Sequence, residues 1–195
     1  MKRAIVCICA FALLMVVPVA AQNPGQHFAK EGLSFDYPSG WSIDESKTSG
    51  QMQYLTLGRD GYAAIIVRSP RALVDTPQKE AHAKKLVQDG FVDAWAKNFE
   101  SNGAKPERST VATEIGGGPA ECMRLSALLG GEPGHVDVCW RVIEKRMVQL
   151  AIVGSTGDIT RTTAAWDAVR KSVKIEPTPT ATPTPTPSPS PKGKP

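Results

Sequence analysis

The sequence predicts an α+β domain built on an antiparallel sheet, and three observations carry that expectation. Strand-like apolar runs come first, one long stretch of helical periodicity follows, and four more strand-like runs joined by tight turns precede a closing helix. Strands that succeed one another through turns, rather than alternating with helices, indicate α+β and not α/β.

The first strand is Leu33-Ser34-Phe35-Asp36-Tyr37, which alternates with period two before Pro38-Ser39-Gly40 turns the chain into Trp41. Gln53 to Leu57 and Tyr62 to Arg68 flank Arg59-Asp60-Gly61, where Asp-Gly marks a hairpin because both residues tolerate positive φ. Ala63 to Val67 is apolar on both faces, so that strand is expected centrally, covered on both sides. Thr76-Pro77 then supplies an N-cap followed by proline at the first helical position, and Asn102-Gly103 supplies a stop. Between them Val87, Phe91, Trp95 and Phe99 recur every four residues, widened by Ala83, Leu86 and Ala94, and Gly90 marks a weak point about 1 kcal/mol below alanine. Glu107 to Glu114, Ala120 to Leu128, His135 to Ile143 and Met147 to Gly154 read as four strands of a meander. Gly116-Gly117-Gly118-Pro119, Gly130 to Gly134 and Glu144-Lys145-Arg146 separate them, and a helix from about Thr160 to Ser172 closes the domain with Ala165, Trp166, Val169 and Val173 on one face.

Both ends differ from this body. Met1 to Ala21 is ordered as a secretory signal: Lys2-Arg3, an apolar run from Ala4 to Val17, then Pro18 and Val19-Ala20-Ala21, with cleavage expected after Ala21. The apolar run falls short of the roughly 20 residues a bilayer span needs, so the mature protein is expected to carry no transmembrane anchor and to be secreted or periplasmic. Cys7 and Cys9 leave with the signal. From Pro177 to Pro195 the chain alternates Pro with Thr or Ser and holds half of its 16 prolines, so residues 177–195 are expected to form a disordered, extended tail with nothing to bury. The domain is then residues 22–176. The whole chain has net charge +4, but removing Lys2, Arg3, Lys192 and Lys194 leaves 19 charges of each sign, and a balanced body argues against nucleic acid as partner.

Tyr37-Pro38-Ser39-Gly40-Trp41 after a first strand, the long helix, the meander and the closing Trp166-x-x-Val169-x-x-Ser172-Val173 helix together resemble the PsbP-like fold, from Phe28 to Glu176. The resemblance implies an antiparallel sheet with helices packed on both faces, an α/β/α sandwich. It also implies a non-catalytic role, since the best-known members are an extrinsic subunit of the oxygen-evolving photosystem and a nuclear import factor that binds a small GTPase. A photosystem role is not expected, because no transit peptide or photosystem-binding N-terminal segment is matched.

Residues that could carry chemistry are few. His27, His82 and His135 lack metal-ligand spacing, and Glu80-x-His82 places its two side chains on different helix faces, so no metal and no cofactor are expected. Ser126, His135 and Asp137 could share a strand face, but Ser126 lies mid-strand without a nucleophile elbow. Gly116 to Gly118 lacks the lysine and following helix of a phosphate loop and reads as a turn. Trp95, Trp140 and Trp166 are assigned to core, while Trp41, beside a turn, is the aromatic to watch for a pocket.

Cys122 and Cys139 are the remaining pair. Setting them opposite each other aligns Arg124 with Asp137, Ser126 with His135, Met123 with Val138 and Leu125 with Val136, and a one-residue slip would turn one strand's apolar set outward. Both cysteines point away from the more apolar face, and export favours a disulfide between them. The functional reading is an exported, non-catalytic binding or structural module for a protein or envelope component. The alternatives are an accessory, chaperone-like assembly factor for another exported protein, and a hydrolase of unrecognised type.

Overall fold

A computed structural model describes residues 25–176, so the leader, Ala21 included, and the tail from Pro177 lie outside the described residues. Five strands come first: β1 (Gln26–Lys30), β2 (Leu33–Tyr37), β3 (Ser42–Asp44), β4 (Met52–Gly58) and β5 (Ala64–Pro70). Helix α1 (Pro77–Ala83) runs through a π-helical segment (Lys84–Asp89) into α2 (Gly90–Ser101). The meander follows as β6 (Glu107–Ile115), β7 (Gly118–Leu129), β8 (Glu132–Ile143) and β9 (Arg146–Ser155), closed by α3 (Thr156–Ser172) and β10 (Lys174–Ile175).

Seven strands form one antiparallel sheet in the order β3-β4-β5-β9-β8-β7-β6, and β1-β2-β10 form a second, smaller one. The apolar β5 is central as its sequence predicts, paired with β4 and β9. Three two-residue turns set the meander's register: Gly116-Gly117, Gly130-Gly131 and Glu144-Lys145, all with positive φ at both positions, as type I′ hairpins require. At Gly116 no side chain fits, because a Cβ there would lie 2.7 Å from Val173 O.

With the register fixed, side chains line up in rows across the sheet. One row, Leu55-Val67-Leu150-Cys139-Cys122-Val111, faces α3 and the small sheet and joins Leu33, Phe35, Val169, Val173 and Ile175 in one core. The face that the cysteines occupy is therefore itself core, not the outer side of the hairpin. On the opposite face Ile66-Ala151-Val138-Met123 and Val153-Val136-Leu125 form a second core against Val92, Ala96 and Phe99 of α2. Helices thus cover both faces, as the resemblance implied.

The long helix departs from its expected stripe. Thr76 caps it as predicted, its side chain accepting from Lys79 N. Past the cap, the π segment takes one residue more per turn than an α-helix and rotates the faces on either side out of phase. Gln88, Val92, Ala96 and Phe99 are buried, Val87, Phe91 and Trp95 are half-buried, and Leu86 and Ala94, expected on the apolar stripe, are exposed. The closing helix starts four residues earlier than its apolar periodicity suggested, because Ser155 caps it by accepting from Asp158 N.

Trp95 and Trp166, half-buried, pack against the two cores as expected, while Trp140 is half-buried under Lys84 and belongs to neither. Trp41 is buried, set edge-on to Tyr62 at 5.5 Å between ring centroids. The turn at Pro38-Ser39-Gly40 brings Trp41 back over the sheet, where it closes the core. Strands β1, β3 and β10 have no clear sequence signal, being five, three and two residues long. Pro133 and Gly134, expected in a loop, belong to β8, where the tight Gly130-Gly131 turn leaves no residues over.

Candidate functional site

The Ser126, His135 and Asp137 constellation assembles without becoming catalytic machinery. Ser126 stands opposite His135, and Asp137 opposite Arg124. Both Asp137 oxygens, however, accept from Arg124, Oδ1 from Nε at 2.6 Å and Oδ2 from Nη2 at 2.7 Å. This bidentate bond holds the Arg124 guanidinium above its ordinary pKa. The imidazole lies 3.8 Å from Asp137 Oδ2, its Nε2 is buried without a hydrogen-bond partner, and among the described residues no hydrogen bond joins it to Ser126. The pieces of a triad share a face, but the carboxylate orients an arginine.

His135 lies largely buried on β8. Burial pulls its pKa below the ordinary value, against the opposing pull of Asp137. A group that binds its proton less readily folded than unfolded destabilises the fold wherever the unfolded chain is protonated. Stability should be complete above about pH 6.5 and fall as pH drops below it towards the lowered pKa. We expect His135→Gln to flatten that part of the urea-midpoint profile, with the difference between the two proteins shrinking to a constant above pH 7. An unchanged slope would assign the pH dependence elsewhere.

The other two histidines are exposed, and His82 lines a groove beside α1. His27 is exposed and pairs with Asp36 at 2.6 Å, and His82 and Glu80 are both exposed on α1. Among the described residues no group of three or more His, Cys, Asp or Glu side chains is gathered as a metal would require.

A groove is the feature that sequence reasoning missed. It lies between the Pro70 end of β5, the loop 71–75 and the face of α1 and the π segment, with a volume of about 860 Å³. Met52, Val74, Ala83 and Val87 line it, and so do Leu73 and Leu86, which are 58% and 62% exposed. Arg71, Asp75 and Lys79 stand among the lining residues, Lys79 Nζ 2.7 Å from Asp75 Oδ1 and Arg71 joined to Glu31. Leu86 was legible as an apolar helix residue, but only the π segment's phase shift turns it outward.

What lies under that helix explains the π segment. Tyr54, Arg68, Gln149, Trp140 and Glu121 form a polar row across the sheet, one step from the apolar rows beneath α2. The wider π turn presents Val87 O to this row, where it accepts from Gln149 Nε2 at 3.0 Å and Arg68 Nη1 at 3.4 Å. Gln149 also donates to Gln88 Oε1 at 2.9 Å, Gln88 donates to Val138 O at 2.9 Å, and Lys84 pairs with Glu121. Arg68 lies over the Phe91 ring at 4.2 Å, and burial pulls its pKa down. The groove's helical wall is thus held by polar contacts and buries little apolar surface, while α2 is anchored in the core.

Layer order, sheet topology and the paired helices define a PsbP-like fold. The chain is similar to the cyanobacterial PsbP (CyanoP) from Synechocystis sp. PCC 6803, known from a solution structure. The TM-score is 0.53 and the identity 14%, with 84% of this chain and 99% of that chain covered. At that identity the likeness concerns the fold. No family model and no curated protein matches the sequence.

Proposed function

We propose that the chain is an exported, non-catalytic binding module that receives an apolar segment of a protein partner in the groove beside α1. The observation that carries this reading is the convergence of two large exposed leucines, Leu73 and Leu86, on one concave site. Exposed apolar side chains grouped in a groove mark binding surfaces, whereas scattered ones need no explanation. The carboxylate engaged by Arg124 speaks for binding over hydrolysis. A PsbP-like fold is compatible with an accessory or structural role. Export belongs to the same proposal: cleavage after Ala21 releases a body from Gln22 to Glu176 with its tail, and a buried disulfide suits an oxidising compartment. No helix among the described residues is long and apolar enough to cross a membrane.

Capture from envelope extract tests the reading with three baits: the native chain, a chain ending at Glu176, and the pair Leu73→Asp with Leu86→Asp. Both substituted positions are exposed, so the fold and its thermal midpoint should be kept. The expected result is one partner enriched by the first two baits and reduced tenfold or more on the third, about 1.4 kcal/mol or more. If that partner's abundance falls in a deletion strain, the role is that of an accessory factor. Equal recovery by all three baits would remove the groove from the function.

A further inference from the structure

Strand β6 ends the seven-stranded sheet, and among the described residues no strand lies beyond it. Its turn dictates which backbone groups face outward. In a two-residue hairpin the pair flanking the turn, here Ile115 and Gly118, is hydrogen-bonded, so odd-numbered residues of β6 bond β7. Arg108, Thr110, Ala112 and Glu114 turn their N–H and C=O groups away from β7. Pro119 opposite Glu114 fits this parity, since proline has no N–H to give. Glu114 O accepts from Arg170 Nη1 at 3.4 Å, while among the described residues nothing bonds the outward groups of Arg108, Thr110 and Ala112. The side chains from Glu107 to Thr110 are exposed, and α2 packs on β7 and β8, one strand in from the edge.

Charged residues usually blunt such an edge against pairing. Within one copy the exposed Arg108 already reaches Asp93 of α2, Nη2 to Oδ1 at 2.9 Å, and the strand's own reverse would add Glu114 of a second copy to the same guanidinium. Laid antiparallel on itself about Val111, the strand puts Arg108 opposite Glu114 on both sides of the twofold axis. Thr110 then meets Ala112, Ser109 meets Thr113, and Val111 meets its own copy. Every outward-facing residue pairs with another outward-facing residue, so the ladder's hydrogen bonds can form. Centring the pair on Thr110 or Ala112 keeps the parity but separates Arg108 from Glu114. The body's balanced charge adds no net repulsion between copies.

We propose that a second copy of this chain docks along β6, joining two seven-stranded sheets into one across an isologous seam. The groove, lined by β4, β5 and α1, lies on the other half of the sheet, so this proposal stands or falls independently of the partner-binding reading.

Sedimentation velocity on the full chain tests it, up to about 0.1 mM, where any dimer with a tighter Kd is the main species. Arg108→Glu alone, or Glu114→Arg alone, sets like charges opposite each other at both ends of the seam and should weaken self-association tenfold or more. Mixing the two variants restores opposite charges at both ends, so the mixture should form a heterodimer that neither variant forms by itself. Ala112→Pro, which removes an outward N–H and leaves the β7 ladder intact, should give a folded monomer. A chain that stays monomeric throughout the range would overturn the proposal, as would a dimer indifferent to Ala112→Pro or a mixture no more associated than its components.

Discussion

Replacing Arg146 with methionine should destabilise the protein by about 3 to 5 kcal/mol, the effect of stranding several buried acceptors at once. Arg146 opens β9 directly after the Glu144-Lys145 turn and is buried. Its guanidinium donates to Glu31 O at 2.8 Å, Pro70 O at 3.1 Å, Ser69 O at 3.3 Å and to Gln53 Oε1. Gln53 in turn donates to Lys30 O at 2.8 Å. One side chain thereby ties β9, β5 and β4 of the large sheet to the β1–β2 turn of the small one. Chain packing there is close: Glu176 N donates to Gly32 O at 2.7 Å, and a Cβ on Gly32 would lie 2.9 Å from Glu176 O.

Burial pulls the Arg146 pKa down, yet among the described residues no carboxylate takes its donors, because the Glu31 side chain is engaged by Arg71. Stability there comes from geometry: a planar fork meets four oxygens that lysine's single ammonium cannot reach together. Arg146→Lys should therefore recover less than half of the loss measured by urea unfolding. Arg71→Met, at the neighbouring exposed ion pair, should change the midpoint little. A loss below about 1 kcal/mol for Arg146→Met would show that water replaces the guanidinium at these carbonyls.

The residues that set the fold's register were legible, and the ones that build its candidate site were not. Glycine pairs and alternating apolar runs act locally, so the β7–β8 alignment that sets Cys122 against Cys139 follows from the sequence alone. Arg146 gave no signal, because its partners are main-chain carbonyls brought to it by strands far away in sequence. The π segment was hidden for a related reason. Helical periodicity over Val87, Phe91, Trp95 and Phe99 is regular, and only the polar row containing Arg68 and Gln149, placed beneath it by the sheet, rewards an extra residue in the turn. An unbroken stripe would bury Leu86, so neither its exposure nor the groove it lines has a signal in the sequence. The start of α3 was within reach, since Ser155-x-x-Asp158 carries the capping signature.

Removing the cystine, by Cys122→Ala with Cys139→Ala or by reduction, should lower stability by about 3 kcal/mol, the chain-entropy value for closing a loop near this length. The two cysteines are 17 residues apart and joined, with Cα atoms 3.9 Å apart. Their register explains why the sheet can hold a bridge there. Counting from the Gly130-Gly131 turn, Leu129 and Glu132 are hydrogen-bonded, which makes Cys122 and Cys139 a non-hydrogen-bonded pair, the site where facing strands approach most closely. Leu150 and Val111 flank the pair in the row beneath α3, so truncation also leaves a gap in packed core. The double variant should consequently lose at least as much as the reduced protein. Because both cysteines are 1% exposed, alkylation must be carried out in denaturant, where free thiols react and a cystine does not. Mass spectrometry of material alkylated without reduction should find both residues unmodified, and a fall in the urea midpoint should follow reduction. Two alkylated cysteines in freshly exported protein would refute the bridge, and an undiminished midpoint after reduction would assign the pair to packing alone.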